Sequence, residues 1–246
     1  MLRAGLKLAL DAVAMRFWKR RPVQFTTAGE EIHGAIYYPP RCLKAPGVLL
    51  LPTAFGLTPH EHSLAHRLAK SGFTTFVVEY YQRTTGDILD DDHRRALGEQ
   101  VVRDALMFLQ SDPRVYANWT GVIGFSLGGY FATHLATLHL DRPPQAAVVY
   151  YGVYSRLEPD FIKLKAPLLI LQGERDTIDF VISAKRAYEC ALRNEKPCEF
   201  VLLSEAGHQF DLFQPGSRAS KEAWDRTVAF LRQHLYPETI RIVVNE

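Results

Sequence analysis

A chain of 246 residues that is 47% hydrophobic and 23% charged can bury one sizeable core, as expected of a single α/β domain. A formal net charge of +2 gives no basis for nucleic-acid binding. No charge-free apolar run reaches the roughly 18 residues that a membrane span needs.

From the N-terminus, Leu2, Leu6, Ala9, Leu10, Val13 and Phe17 recur at helical spacing, with Arg3, Lys7 and Asp11 opposite. Residues 1–21 therefore read as an amphipathic helical extension, ending in Lys19-Arg20-Arg21, and residues 22–246 as the main domain. Packing on the body of the protein or on a partner subunit is the favoured role. Contact of residues 1–21 with an anionic membrane surface is a second reading. A secretory signal ending at Ala12-Val13-Ala14 is a third, although Lys7 and Asp11 interrupt its apolar stretch. The sequence does not specify an oligomeric state.

Val23–Thr27 and Ile32–Tyr38 alternate as two strands around Gly29 and predict an antiparallel hairpin at a sheet edge. Gly47–Leu51 is an apolar run suited to a strand buried on both faces. A helix follows over His60–Ser71, closed by Gly72, then a strand over Thr74–Tyr80. Asp90-Asp91-Asp92 opens a helix that runs to about Gln110. Strands are expected at Thr120–Phe125, Ala146–Tyr151, Leu168–Gln172 and Glu199–Leu203, and helices at Leu127–His139, Phe180–Arg193 and Ser217–His234. This alternation predicts an α/β fold, a mostly parallel sheet with helices on both faces, with no insertion long enough for a large cap. The three cysteines, Cys42, Cys190 and Cys198, follow no metal-ligand spacing. Free thiols in a reducing, cytoplasmic setting are expected, with a Cys190–Cys198 bridge as the alternative.

Gly124-Phe125-Ser126-Leu127-Gly128 falls where a strand turns into a helix. Gly-x-Ser-x-Gly there forms a strained elbow that holds a serine above the sheet edge, and its glycines leave room for so tight a turn. A serine hydroxyl needs a base to become a useful nucleophile. His208 follows the last strand and Asp176 the one before it, so both lie at carboxyl ends of strands, where open α/β sheets build their sites. The order Ser126, Asp176, His208 is that of a hydrolase triad: nucleophile, orienting acid and general base. The N–H groups of Leu127 and of Ala54, in the loop after the first buried strand, are the candidate oxyanion hole.

The chain resembles the dienelactone hydrolase family of the α/β-hydrolase fold. Phe55-Gly56-Leu57, Tyr80-Tyr81-Gln82-Arg83, Gly124 to Gly129, Tyr150-Tyr151-Gly152, Gly173-Glu174-Arg175-Asp176 and Gly207-His208-Gln209-Phe210 carry the resemblance, in family order across residues 30–235. Three positions depart from it. Ser126 stands where well-known members carry a cysteine nucleophile, Thr53 where they carry a glutamate that interacts with the thiol, and Leu212 at the position of a second carboxylate-binding arginine. Arg83 matches the other such arginine; a surface or structural ion pair is its alternative reading. The triad, with the resemblance so altered, implies a serine carboxylesterase acting through an acyl-enzyme, and the lack of a cap leaves an open site that predicts small or short-acyl esters. Thioester or acyl-peptide hydrolysis, or binding without catalysis, are the alternatives. Thr53, Phe55, Tyr81, Arg83 and Phe210 are the candidate substrate-binding residues, and Tyr154 and Phe180 are further aromatics that either line the pocket or belong to the core. No cofactor is expected. His60, His62 and His66 lack the His-Glu-x-x-His pattern and read as a solvated helix start.

Overall fold

The computed structural model describes residues 20–40, 43–80, 91–154 and 158–236. Residues 1–19 of the extension, Cys42, Tyr81 and Arg83 lie outside the described residues. In chain order the elements are β1 (Arg20–Thr27), β2 (Glu30–Tyr37), β3 (Ala45–Leu51), α1 (Pro59–Lys70), β4 (Thr74–Val78), α2 (Asp92–Ser111), β5 (Val115–Phe125), α3 (Leu127–Thr137), β6 (Ala146–Tyr150), β7 (Leu168–Gly173), α4 (Ile178–Arg193), β8 (Cys198–Leu203), α5 (Phe210–Phe213) and α6 (Arg218–Leu235). A short 3-10 turn, Glu158–Lys163, precedes β7.

The strands form one eight-stranded sheet in the order β1-β2-β4-β3-β5-β6-β7-β8. β1 pairs antiparallel with β2, and β2 antiparallel with β4; every other pairing is parallel. The hairpin therefore caps one edge, as its alternating pattern predicts. β1 starts at Arg20, inside the stretch assigned to the extension, because Arg20 and Arg21 pair with Tyr37 and Ile36 and Arg21 also binds the buried Asp112 carboxylate at 2.7 Å.

Alternation along the buried strands divides the core into two layers. Leu49 and Leu51 of β3 point with Val122, Leu168 and Ile170 into the layer under α2, α3 and α4. Val48 and Leu50 point with Ile123, Leu169 and Leu171 into the layer under α1 and α6. Strands apolar on both faces require this two-sided cover. No cap domain is inserted among the described residues. Cys190 and Cys198 are free thiols, so the alternative bridge between them is absent.

The helix α1 corrects one expectation. Its start is buried rather than solvated: His60, Glu61 and His66 all lie in the interior. Glu61 completes a capping box, accepting from the Thr58 N–H (2.9 Å) and hydroxyl. His62 accepts a hydrogen bond from, or donates one to, Tyr37 Oη at 2.9 Å. Among the described residues no group of three His, Cys, Asp or Glu side chains could hold a metal ion, and no helix is long and apolar enough to cross a membrane.

Candidate active site

Ser126 sits between the last residue of β5 and the first of α3, with φ of 51°. A non-glycine residue in this region carries strain of about 1–3 kcal/mol and persists only where its surroundings enforce it. They do so here. The Ser126 N–H donates to the Tyr150 carbonyl (3.0 Å), and its carbonyl accepts from the N–H groups of Gly129 (2.9 Å) and Val153 (3.3 Å). The flanking glycines are required by space. A Cβ on Gly124 would lie 2.1 Å from the Gly128 carbonyl oxygen, and one on Gly128 would lie 2.3 Å from that of Leu51.

The acid and the histidine reach the serine through two loops locked together. After β7, the N–H groups of Glu174 and Arg175 donate to the carbonyls of Leu203 (3.0 Å), the last residue of β8, and Ala206 (2.8 Å), in the loop that follows. A Cβ on Gly173 would fall 2.5 Å from the Ala206 oxygen, so glycine permits the approach. His208 Nδ1 lies 2.8 Å from Asp176 Oδ2, and His208 Nε2 lies 3.2 Å from Ser126 Oγ. The three residues predicted to work together are thus in one hydrogen-bonded line. The Asp176 side chain is fully buried, whereas that of His208 is 30% exposed and open to a substrate.

Gln172 is a site residue that motif reading missed. Its Nε2 donates to Asp176 Oδ2 at 2.8 Å, the same oxygen that faces His208, while the Thr177 N–H donates to Oδ1 at 2.7 Å. Burial alone would raise the Asp176 carboxyl. The hydrogen bonds from His208, Gln172 and Thr177 outweigh it and hold the group below the usual carboxylate range. One signal was present in the sequence: Gln172 is a polar residue ending an otherwise apolar buried strand.

Leu127 opens α3, where helix geometry leaves N–H groups without acceptors in the helix. The Leu51 and Pro52 carbonyls press against Gly128, which brings the segment carrying Ala54 onto this first turn. In that segment the Thr53 hydroxyl accepts from the Phe55 N–H (3.2 Å) and the Thr53 carbonyl from the Gly56 N–H (3.0 Å). Thr53 is buried and shapes the turn, while Phe55 is 78% exposed.

One aromatic expectation changes, and one open alternative closes. Phe210 is fully buried, packed against Tyr150 and Tyr151 at ring-centroid distances of 5.9 and 5.5 Å, so it belongs to the core and not to a substrate surface. Tyr154 is likewise core, 6.5 Å from Phe161. The rings that flank His208 are Tyr151, at 4.8 Å, and Phe180, at 4.7 Å.

Such a line of hydroxyl, imidazole and buried carboxylate can move a proton off the hydroxyl while charge develops on the imidazole. Comparison with known proteins agrees with a hydrolytic site. Residues 32–235 match the dienelactone hydrolase family. The chain is 27% identical over 209 residues to a carboxymethylenebutenolidase of Rhodococcus opacus, covering 76% of this chain and 81% of that protein. The fold is shared with a dienelactone hydrolase of Anabaena variabilis (TM-score 0.72, 18% identity, 89% of this chain and 99% of that one). It is also shared with a thermophilic carboxylesterase from a metagenomic library (TM-score 0.77, 16% identity, 96% of each chain). The chain belongs to the dienelactone hydrolase family and is a hydrolase of the α/β-hydrolase fold.

Proposed function

We propose that the protein hydrolyses small or short-acyl carboxylic esters through an acyl-enzyme on Ser126. The observation that carries this reading is the unbroken line from Ser126 Oγ through His208 to Asp176. Ser126 Oγ attacks the ester carbonyl as His208 Nε2 takes its proton. The imidazolium is stabilised by Asp176, which keeps the Nδ1 proton on its own side of the ring. The N–H groups of Leu127 and Ala54 receive the negative charge that develops on the carbonyl oxygen. His208 then protonates the leaving alkoxide, which departs as the alcohol. In the second half, His208 deprotonates a water that attacks the acyl-enzyme, releasing the acid and restoring Ser126.

The departures from family members with a thiol nucleophile fit this chemistry. A hydroxyl requires the histidine to remove its proton, so a carboxylate at position 53 has no thiol to control. The Thr53 hydroxyl is engaged with the Phe55 N–H instead. The lack of an inserted cap among the described residues supports a short acyl group, with Phe180 and the exposed Phe55 as its apolar neighbours.

The test is hydrolysis of p-nitrophenyl acetate, butyrate and palmitate by the protein and by Ser126→Ala. Turnover of the two short esters is expected, falling by about 10³-fold or more in the variant. Preference for palmitate would refute the acyl-length reading, and hydrolysis independent of Ser126 would refute the mechanism.

A further inference from the structure

A second buried polar cluster lies beside the site. His60 Nε2 is 2.6 Å from Asp211 Oδ2, and the Tyr151 hydroxyl donates to Asp211 Oδ1 at 2.6 Å. All three side chains are buried: His60 is 3% exposed, Tyr151 1% and Asp211 9%. They come from three elements, α1, the end of β6, and α5. Asp211 and Tyr151 are placed to act on His208, and His60 acts through Asp211. Asp211 is three residues beyond it, in the turn of helix entered through Gln209 at φ of 55°. Tyr151, at φ of 38°, lays its ring 4.8 Å from the His208 ring. The Tyr151 N–H donates to the Leu171 carbonyl at 2.8 Å, so both ends of this strained residue are tied.

We infer that His60, Asp211 and Tyr151 are positioning residues for His208, a buried clamp that fixes its ring and its loop in line with Ser126. This rests on the role given to His208 under the proposed function. The physical case is as follows. A buried carboxylate is stable only when its oxygens are satisfied, and here each oxygen has one dedicated donor group. Burial would raise the Asp211 carboxyl, yet the hydrogen bonds from His60 and Tyr151 hold it below the usual range, so it is a firm anionic anchor. That anchor ties the loop carrying His208 to α1 through His60 and to the end of the sheet through Tyr151. A ring free to turn about its χ angles would spend less time with Nε2 at 3.2 Å from Ser126 Oγ. Loss of alignment slows chemistry without removing any group that binds the ester.

The test uses Tyr151→Phe, which keeps the ring, and the pair His60→Leu and His60→Gln, in which glutamine restores a donor toward Asp211. Each variant is assayed on p-nitrophenyl acetate below its own melting midpoint, with folding verified by circular dichroism. Tyr151→Phe and His60→Leu are expected to lower kcat about 10-fold with KM within about twofold, and His60→Gln to recover most of the loss. A second readout is the downfield proton resonance of His208 Nδ1–H, assigned by its loss in His208→Gln. It should shift or broaden in Tyr151→Phe and His60→Leu and return in His60→Gln. Lowered melting temperatures with unchanged kcat and an unmoved resonance would overturn the clamp. Absence of esterase activity in the wild type would overturn the proposed function instead, and the resonance would still decide the clamp.

Discussion

Asp176→Asn changes one oxygen to an amide nitrogen in a setting that leaves it no good orientation. Asp176 Oδ2 faces two donors, His208 and Gln172 Nε2, both at 2.8 Å, and Oδ1 accepts from the Thr177 N–H at 2.7 Å. If the asparagine NH₂ occupies the Oδ2 position, it confronts the Gln172 amide donor and forces His208 to accept at Nδ1. The ring proton then sits on Nε2, pointing at Ser126, and cannot be exchanged for the hydroxyl proton. If the side chain flips, its NH₂ faces the Thr177 N–H. Either orientation strands one buried donor, at a cost of about 1–3 kcal/mol. The wrong histidine tautomer alone costs about 10⁴-fold in turnover in a related triad whose geometry stays intact. The expected outcome is therefore a stability loss of this size in urea titration, with kcat on p-nitrophenyl acetate down about 10⁴-fold and KM little changed. Activity within about tenfold of wild type would refute the reasoning, because it would mean that Asp176 does not set the state of His208.

Other expectations follow from the same structure. Gly124→Ala should be destabilised by about 3 kcal/mol or more, measured by chemical unfolding, because its Cβ meets backbone at 2.1 Å, with no side chain to move aside; a change below about 1 kcal/mol would contradict the elbow geometry. Ala54→Pro removes the N–H proposed as the second oxyanion donor and should cost about 3 kcal/mol in kcat/KM, with the chemical-unfolding midpoint little changed. His62 gives a pH prediction. Burial, then the nearby Arg20 charge, lowers its imidazole from 6.5 to about 4. The unfolded chain takes up that proton first, so the stability is complete above about pH 6.5 and drains as the pH falls toward 4. Wild type should lose about 2 kcal/mol between about pH 7.5 and pH 5 through this residue, and His62→Gln should lack that slope in urea midpoints. Equal slopes would show that His62 is not held neutral.

Much of this fold is legible in the chain because its signals are local. Apolar runs such as Gly47–Leu51 and Leu168–Leu171 suit strands covered on both sides, and the turn around Ser126 announces itself through glycines that space demands. The order of Ser126, Asp176 and His208 along the chain placed each at a strand end. What escaped is tertiary. His60 looked like a solvated helix start because its partner Asp211 lies far along the chain. In retrospect His60, Leu64 and Leu68 share one helix face, and a polar residue on an apolar face signals a buried partner. Phe210 reads as a pocket aromatic because it lies near a strand end; the left-handed Gln209 turns the chain inward and sends that ring into the core. Gln172 reads as the end of a strand; its polarity in an apolar run marks it, but its partner Asp176 is fixed only by the turn between them. Tyr81 and Arg83, which the family resemblance assigns to substrate, lie outside the described residues.

The central claim is that Ser126 is a nucleophile activated by His208 and Asp176. Intact-protein mass spectrometry after exposure to a fluorophosphonate tests it most directly. One adduct per chain on Ser126 is predicted, abolished in Ser126→Ala and slowed by orders of magnitude in His208→Gln. An unlabelled wild type, or an adduct that persists in Ser126→Ala, would contradict it.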